Sequence, residues 1–323
     1  MTAAERQHRW RVALAFGLVY VFWGSTYLGI RIAVEHIPAA LAMGVRFVIA
    51  GPAMLVVCKL QGRRVALNRG EWLRVAAIGL LLLTGGNMMV AWSEQTVASG
   101  LAALIVAVVP LWVTLIEAGI LKGERLRGRG FLGLALGICC LLVLLWPELR
   151  ASNALGRREL VGCLTLIAAS LSWAAGSVLS RRSELKVDAF VAAGWETTLG
   201  GLANLGIALA AGNLRHTTWT LRGAGAIVYL IIFGSWVGFS AYIWLLNHVP
   251  TAKVATYAYV NPVVAVFLGW LILSEPVTGY ILAGTVVIIA AVALVNSSKV
   301  QARPEVGPEP RPEEMPAYEP GAD

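Results

Sequence analysis

The sequence predicts an all-α integral membrane protein with ten transmembrane helices arranged as two inverted five-helix repeats. Three observations lead there. Of the 323 residues, 58% are hydrophobic and only 14% charged, and mean hydropathy is +0.73, whereas about a quarter of the residues of a soluble domain carry charge. Ten apolar windows are each long enough to cross a hydrocarbon core about 30 Å thick. The chain also carries one pattern twice, at an offset near 150 residues.

The windows are 12–33, 39–60, 72–92, 98–120, 130–147, 160–180, 189–210, 223–246, 252–273 and 278–296. They are continuous and do not alternate, which excludes a β-barrel with its segments of about ten alternating residues. The first window is followed by further spans and not by a small-residue cleavage site, so it is expected to stay as a helix and not be removed as a signal peptide. Cys58, Cys139, Cys140 and Cys163 lie in or at the ends of apolar runs, without CxxC or Cys/His spacing. They are expected to be packing residues, so neither disulfides, a metal nor a cofactor is implied.

The formal charge of +8 points to a bilayer and not to nucleic acid, because its distribution follows the spans. With the N-terminus in the cytoplasm, 19 of the 26 lysines and arginines fall in inner segments, five in outer loops, and Arg31 and Arg46 within spans. That bias predicts that both termini are cytoplasmic.

The duplication is clearest between Ser99–Leu145 and Thr251–Val295. Each copy has an Ala-rich helix with a proline inside (Pro110, Pro262), a polar break with one glutamate (Glu124, Glu275), and a glycine-bearing helix. FWGSTYLGIR (Phe22–Arg31) aligns with SWAAGSVLSR (Ser172–Arg181), pairing Trp23 with Trp173, and Gly44-Val45-Arg46 aligns with Gly194-Trp195-Glu196. Five helices is an odd number, so the second copy enters the membrane from the opposite side. The repeats are expected at 12–147 and 160–296, and inverted repeats around a midplane site are a recurring transporter plan. From 299 to 323 the chain is rich in Pro and Glu with few aliphatic residues, as expected of a disordered cytoplasmic tail.

The segments WGSTYLGIRIA, GVRF, VAWSEQTVASGLAALIVAVVPLWVTLI, GERL, SLSWAAGSVLSRR and ATYAYVNPVVAVFLGWLILSEP together resemble the EamA-type transporters of the drug/metabolite transporter superfamily, and within it the YedA-like inner-membrane permeases. The resemblance covers about 12–296. It implies a carrier in a bacterial inner membrane, often an exporter of amino acids or related metabolites, alternating between inward- and outward-open states. One departure is visible: Pro110 and Glu124 are 14 positions apart, Pro262 and Glu275 only 13.

Ionisable groups inside a bilayer are costly, about 2.5–3.5 kcal/mol at a helix centre on insertion scales, and so are functional candidates. Arg46, Glu117 and Glu196 lie within spans. Arg46 is expected to attract a substrate carboxylate and Glu196 to bind an amine or a coupling proton; the alternative is that both are packing groups. Inversion places them roughly 10 Å apart in depth. Glu117 lies near Lys122 and Arg125, as a snorkelling structural acid would. Trp23, Ser25, Tyr27, Asn87, Trp173, Ser177, Trp236, Tyr242, Tyr257, Tyr259 and Asn261 are further candidates for lining a site. Tyr257 and Asn261 share a helix face. Pro110 and Pro262 each free a carbonyl one turn back, as hinges or as packing kinks.

No HExxH, P-loop or GxSxG pattern occurs, which argues against a nucleotide-driven pump or a hydrolase in this chain. The expected partners are a small-molecule solute, the lipid bilayer and, for coupling, protons. A lipophilic-cation exporter is the alternative, against which Arg46 counts, and a membrane-embedded lipid enzyme is the distant one. The sequence does not indicate an oligomeric state.

Overall fold

A helix that keeps every backbone hydrogen bond within its own segment is the simplest solution for a chain this apolar, and helix is what forms. The computed structural model describes residues 3–117, 128–150, 154–183, 185–249, 254 and 256–298. Among the described residues the long elements are α1 (Ala3–Val34), α2 (Ala39–Leu60), α3 (Arg69–Ser93), α4 (Ser99–Leu115), α5 (Gly128–Arg150), α6 (Ala154–Arg182) and α7 (Ala189–Ala210). They continue with α8, built of Leu221–Tyr229, Leu230–Val237 and Gly238–His248, then α9 (Tyr257–Leu273) and α10 (Gly279–Ser298).

Among the described residues six of these hold a stretch long and apolar enough to span a membrane, in α1, α2, α3, α5, α6 and α8, while Ser99–Leu115, Tyr257–Leu273 and Gly279–Leu294 are shorter apolar helices. Leu73, Leu132, Leu164, Leu202, Phe267 and Leu282 point outward, exposed. An apolar exterior of this kind belongs in lipid, and the chain is a multi-pass membrane protein.

Helix ends follow local chemistry. Asn68 and Glu71 form a reciprocal capping box on α3. The Asp188 carboxylate accepts from Phe190 N at the start of α7, and the Thr220 hydroxyl accepts from Gly223 N at the start of α8. Helices α1 and α6 begin well before their apolar windows, at Ala3 and Ala154, because hydropathy marks only the part of a helix that lies in hydrocarbon. Two interruptions correspond between the halves: α3 contains a π-helical segment, Leu80–Met88, and α8 another, Leu230–Val237. The Pro110 kink takes the form of a break, α4 being two pieces, Ser99–Val106 and Val109–Leu115, whereas Pro262 sits inside an unbroken α9.

The packing is pairwise symmetric. α1 lies against α8 and α9, α6 lies against α3 and α4, and α2 pairs with α7 as α5 pairs with α10. The α2–α7 crossing is glycine-lined: Gly44 meets Leu205, Gly201 meets Val48, Gly51 meets Thr198 and Gly194 meets Leu55. As numbers rise on α2 they fall on α7, so these two equivalent helices run antiparallel. A Cβ on Gly201 would come within 2.7 Å of Val48 N, and one on Gly51 within 2.6 Å of Thr198 N. Only glycine permits so close a backbone approach. The expected disordered tail lies outside the described residues.

Candidate functional site

The aromatic candidates converge where α1, α8 and α9 meet. Trp23 lies 5.0 Å from Tyr242 and 5.1 Å from Tyr257, ring centre to ring centre, the second contact edge-on at 87°. Tyr242 and Tyr257 are 5.8 Å apart and also edge-on. The Trp23 indole donates to the Gly234 carbonyl at 3.2 Å, inside the π-helical segment of α8. Gly238 makes room for it, since a Cβ there would sit 2.6 Å from Trp23 Nε1. Neighbouring contacts lock α1 onto α8: Phe22 stacks on Phe233 at 4.7 Å, and Ser25 shares a 2.6 Å hydrogen bond with Tyr229. Segments of π-helix concentrate at functional sites and re-aim the side chains around them.

Arg46 reaches the same segment from α2. It is 5% exposed, its Nε donates to Ser235 Oγ at 3.2 Å, and its guanidinium lies 4.8 Å from the centre of the Phe47 ring. A Cβ on Gly234 would be 3.0 Å from Arg46 Nη2, so Gly234 separates the guanidinium from the Trp23 indole. The ion pairs among the described residues are Arg63–Asp188, Arg181–Glu117 and Arg222–Glu35. None of them neutralises Arg46, a buried cation whose donors are met, among the described residues, by a hydroxyl, a thioether and a ring.

Glu196 sits elsewhere. It is 8% exposed on α7, with its own backbone against Gly79 of α3. No hydrogen bond or ion pair among the described residues joins it to Arg46. The α2–α7 ladder puts Glu196 opposite a point about seven residues along α2 from Arg46, roughly 10 Å at 1.5 Å per residue.

The remaining candidates divide by half. Where α6 of the second repeat meets α3 of the first, the Trp173 ring fills the space over Gly86, the Ser172 hydroxyl donates to Leu81 O at 2.8 Å, and Asn87 and Ser177 are half-buried nearby on α3 and α6. This mirrors Trp23 over the π-helical segment of α8. Tyr27 and Tyr259 each pack against the core around α4. The Trp236 indole donates to Ala50 O on α2 at 3.2 Å, a packing contact. The Asn261 side-chain oxygen is buried with no hydrogen-bond partner among the described residues, and its backbone lies against Gly24. Glu117 pairs with Arg181 of α6 at 2.9 Å; Lys122 and Arg125, its expected neighbours, lie outside the described residues.

Two acids that hydropathy does not single out are held at the opposite end of α1. Glu275, in the link between α9 and α10, caps α4 across the repeats: its carboxylate accepts from Ser99 N at 2.9 Å, Ser99 Oγ at 2.9 Å and Gly100 N at 3.2 Å. Glu94, one residue past the end of α3, is fully buried, and Arg31 of α1 donates to its backbone carbonyl. The signal in the sequence is an acid directly after an apolar run with no basic neighbour.

Similarity to known proteins agrees with the architecture. The EamA-like transporter family matches residues 10–146 and again 160–297. The chain is 36% identical over 293 residues to the inner membrane transporter YedA of Escherichia coli (strain K12), covering 90% of this chain and 92% of that protein. It is 23% identical to the transporter YoaV of Bacillus subtilis (strain 168), covering 87% and 95%. A crystal structure of a protein 19% identical superposes with a TM-score of 0.61 over 88% of this chain and 96% of that one, which supports the fold. Two matched repeats spanning most of its length, and YedA at this identity, establish that the chain belongs to the EamA-like transporter family.

Proposed function

We propose that this chain is a secondary-active carrier of the bacterial inner membrane that exports an amino acid or a related small carboxylated metabolite by alternating access. In this reading its ten helices all span, as two inverted repeats of 12–147 and 160–296, with both termini and the tail from 299 in the cytoplasm. The observation that carries the substrate class is Arg46, a buried guanidinium with no carboxylate partner among the described residues, beside the Trp23–Tyr242–Tyr257 cluster. A charge left unpaired in low dielectric is strongly unfavourable, and a bidentate carboxylate is the natural complement of guanidinium. The aromatic cluster accepts the apolar part of the solute. Glu196, about 10 Å deeper along α2 and α7, binds an amine or a coupling proton, and the Pro110 break in α4 and Pro262 in α9 act as hinges.

The aromatic cluster also favours a second reading, export of a lipophilic cation, because three electron-rich rings attract cationic groups. Arg46 opposes it by like charge. Uptake into proteoliposomes of labelled amino acids, carboxylates, sugars and quaternary amines, with and without a pH gradient, separates the readings. Accumulation of carboxylated solutes driven by the gradient and lost in Glu196→Gln supports the proposal in full. Equilibration indifferent to pH and to that variant removes proton coupling while keeping the carrier. Movement of quaternary amines alone selects the second reading.

A further inference from the structure

At the end of the bundle where α3 joins α4, the Glu94 side chain is 0% exposed and neither carboxylate oxygen has a hydrogen-bond partner among the described residues. The groups around it are already committed. Arg31 gives its guanidinium to the Glu94 backbone carbonyl. Glu275, the acid within electrostatic reach, is held by the N-terminus of α4. Tyr27 of α1 lies within electrostatic reach of it. On α6, whose Gly162 packs on Thr96 and Val97, the charged groups toward this end are Arg157, Arg158 and Glu159. A bare carboxylate in such a place, next to a second carboxylate, is not sustainable, and groups so placed neutralise instead.

We propose that Glu94 is a proton-binding site of this protein, occupied while the α1–α3–α9 junction is closed over it and emptied when that junction opens to water. The residue lies just beyond the span Arg69–Ser93. Burial first, and then the Glu275 charge, push its carboxyl well above the usual carboxylate range, with the Arg31 guanidinium opposing. Deprotonation therefore requires water to reach the carboxylate, which links the proton to exposure of this end of the bundle. The role in transport rests on the carrier reading; the site itself does not.

Infrared titration of the purified full-length protein in liposomes, without solute and in H2O and D2O, tests the site directly. The expected result is an acid-form carboxyl band at neutral pH that shifts in D2O and is lost in Glu94→Gln. In Glu275→Gln its titration midpoint moves to lower pH, and sodium chloride leaves it unchanged. If Glu94→Gln yields no folded protein, Glu94→Asp serves: the band moves in frequency. A band identical in wild type and Glu94 variants, or one abolished by sodium at constant pH, overturns the proposal. Because no solute is present, the band persists even if no tested solute proves to be transported.

Discussion

The carboxylate of Glu275 accepts the backbone N–H of Ser99 at 2.9 Å, so a residue from the second repeat closes the first turn of a helix in the first. Ser99 Oγ and Gly100 N complete the cap, and Gly269 keeps the space open for it. Such caps contribute about 1–2 kcal/mol, with charge-assisted hydrogen bonds at the upper end. Glu275→Ala is expected to lower stability in detergent by that amount, read from the unfolding midpoint. Combined with Ser99→Ala, the loss should be smaller than the sum by at least about 0.5 kcal/mol; strict additivity would show that the cap does not act as a unit.

The α2–α7 crossing yields a paired test on one helix. Gly201→Ala forces a Cβ to within 2.7 Å of Val48 N and is expected to destabilise by about 1–3 kcal/mol. Gly206→Ala, whose added Cβ meets nothing within 4 Å among the described residues, should be neutral or slightly stabilising, since alanine is the better helix former by up to about 1 kcal/mol. Thermal unfolding of both variants checks the ordering.

At the aromatic cluster, Gly238→Ala pushes against the Trp23 indole and should break its hydrogen bond to Gly234 O. The expected outcome is altered Trp emission and transport slowed about tenfold, equivalent to roughly 1.4 kcal/mol. Trp23→Phe in the Gly238→Ala background should recover part of the rate, because the smaller ring fits beside the new methyl.

Much of this arrangement is legible in the sequence. Arg46 and Glu196 announce themselves as charges within apolar runs, and their separation follows from inversion and helical rise alone. Trp23, Tyr242 and Tyr257 are identifiable as candidates, but their mutual contact depends on how α1, α8 and α9 pack, which no local pattern encodes. The π-helical segments at Leu80–Met88 and Leu230–Val237 are illegible, since one inserted residue in a helical ladder leaves composition and hydropathy unchanged. Glu94 escapes notice because a hydropathy window ends at the first polar residue and assigns the next positions to solvent; here Arg31 and the link carrying Glu275 fold over it. Trp236 is a site-lining candidate by sequence, yet its indole serves α2, a partner 186 positions away in the chain.

Stability should separate from transport at Arg46. Replacing a buried cation that has no counter-charge among the described residues with an apolar side chain of similar length relieves desolvation, so Arg46→Met is expected to hold or raise the unfolding midpoint while abolishing the carboxylate preference. A large drop in the midpoint would mean that Arg46 is a packing group.

The most direct measurement compares wild type with Arg46→Gln for transport of one amino acid and its decarboxylated amine in proteoliposomes. On the carboxylate-binding reading of Arg46, wild type prefers the amino acid and the variant loses this preference by about 10–100-fold in KM for the carboxylated solute, the value of one charge-assisted hydrogen bond at about 1.5–3 kcal/mol. Equal handling of both solutes by wild type, or a preference for the amine that Arg46→Gln leaves intact, would contradict it.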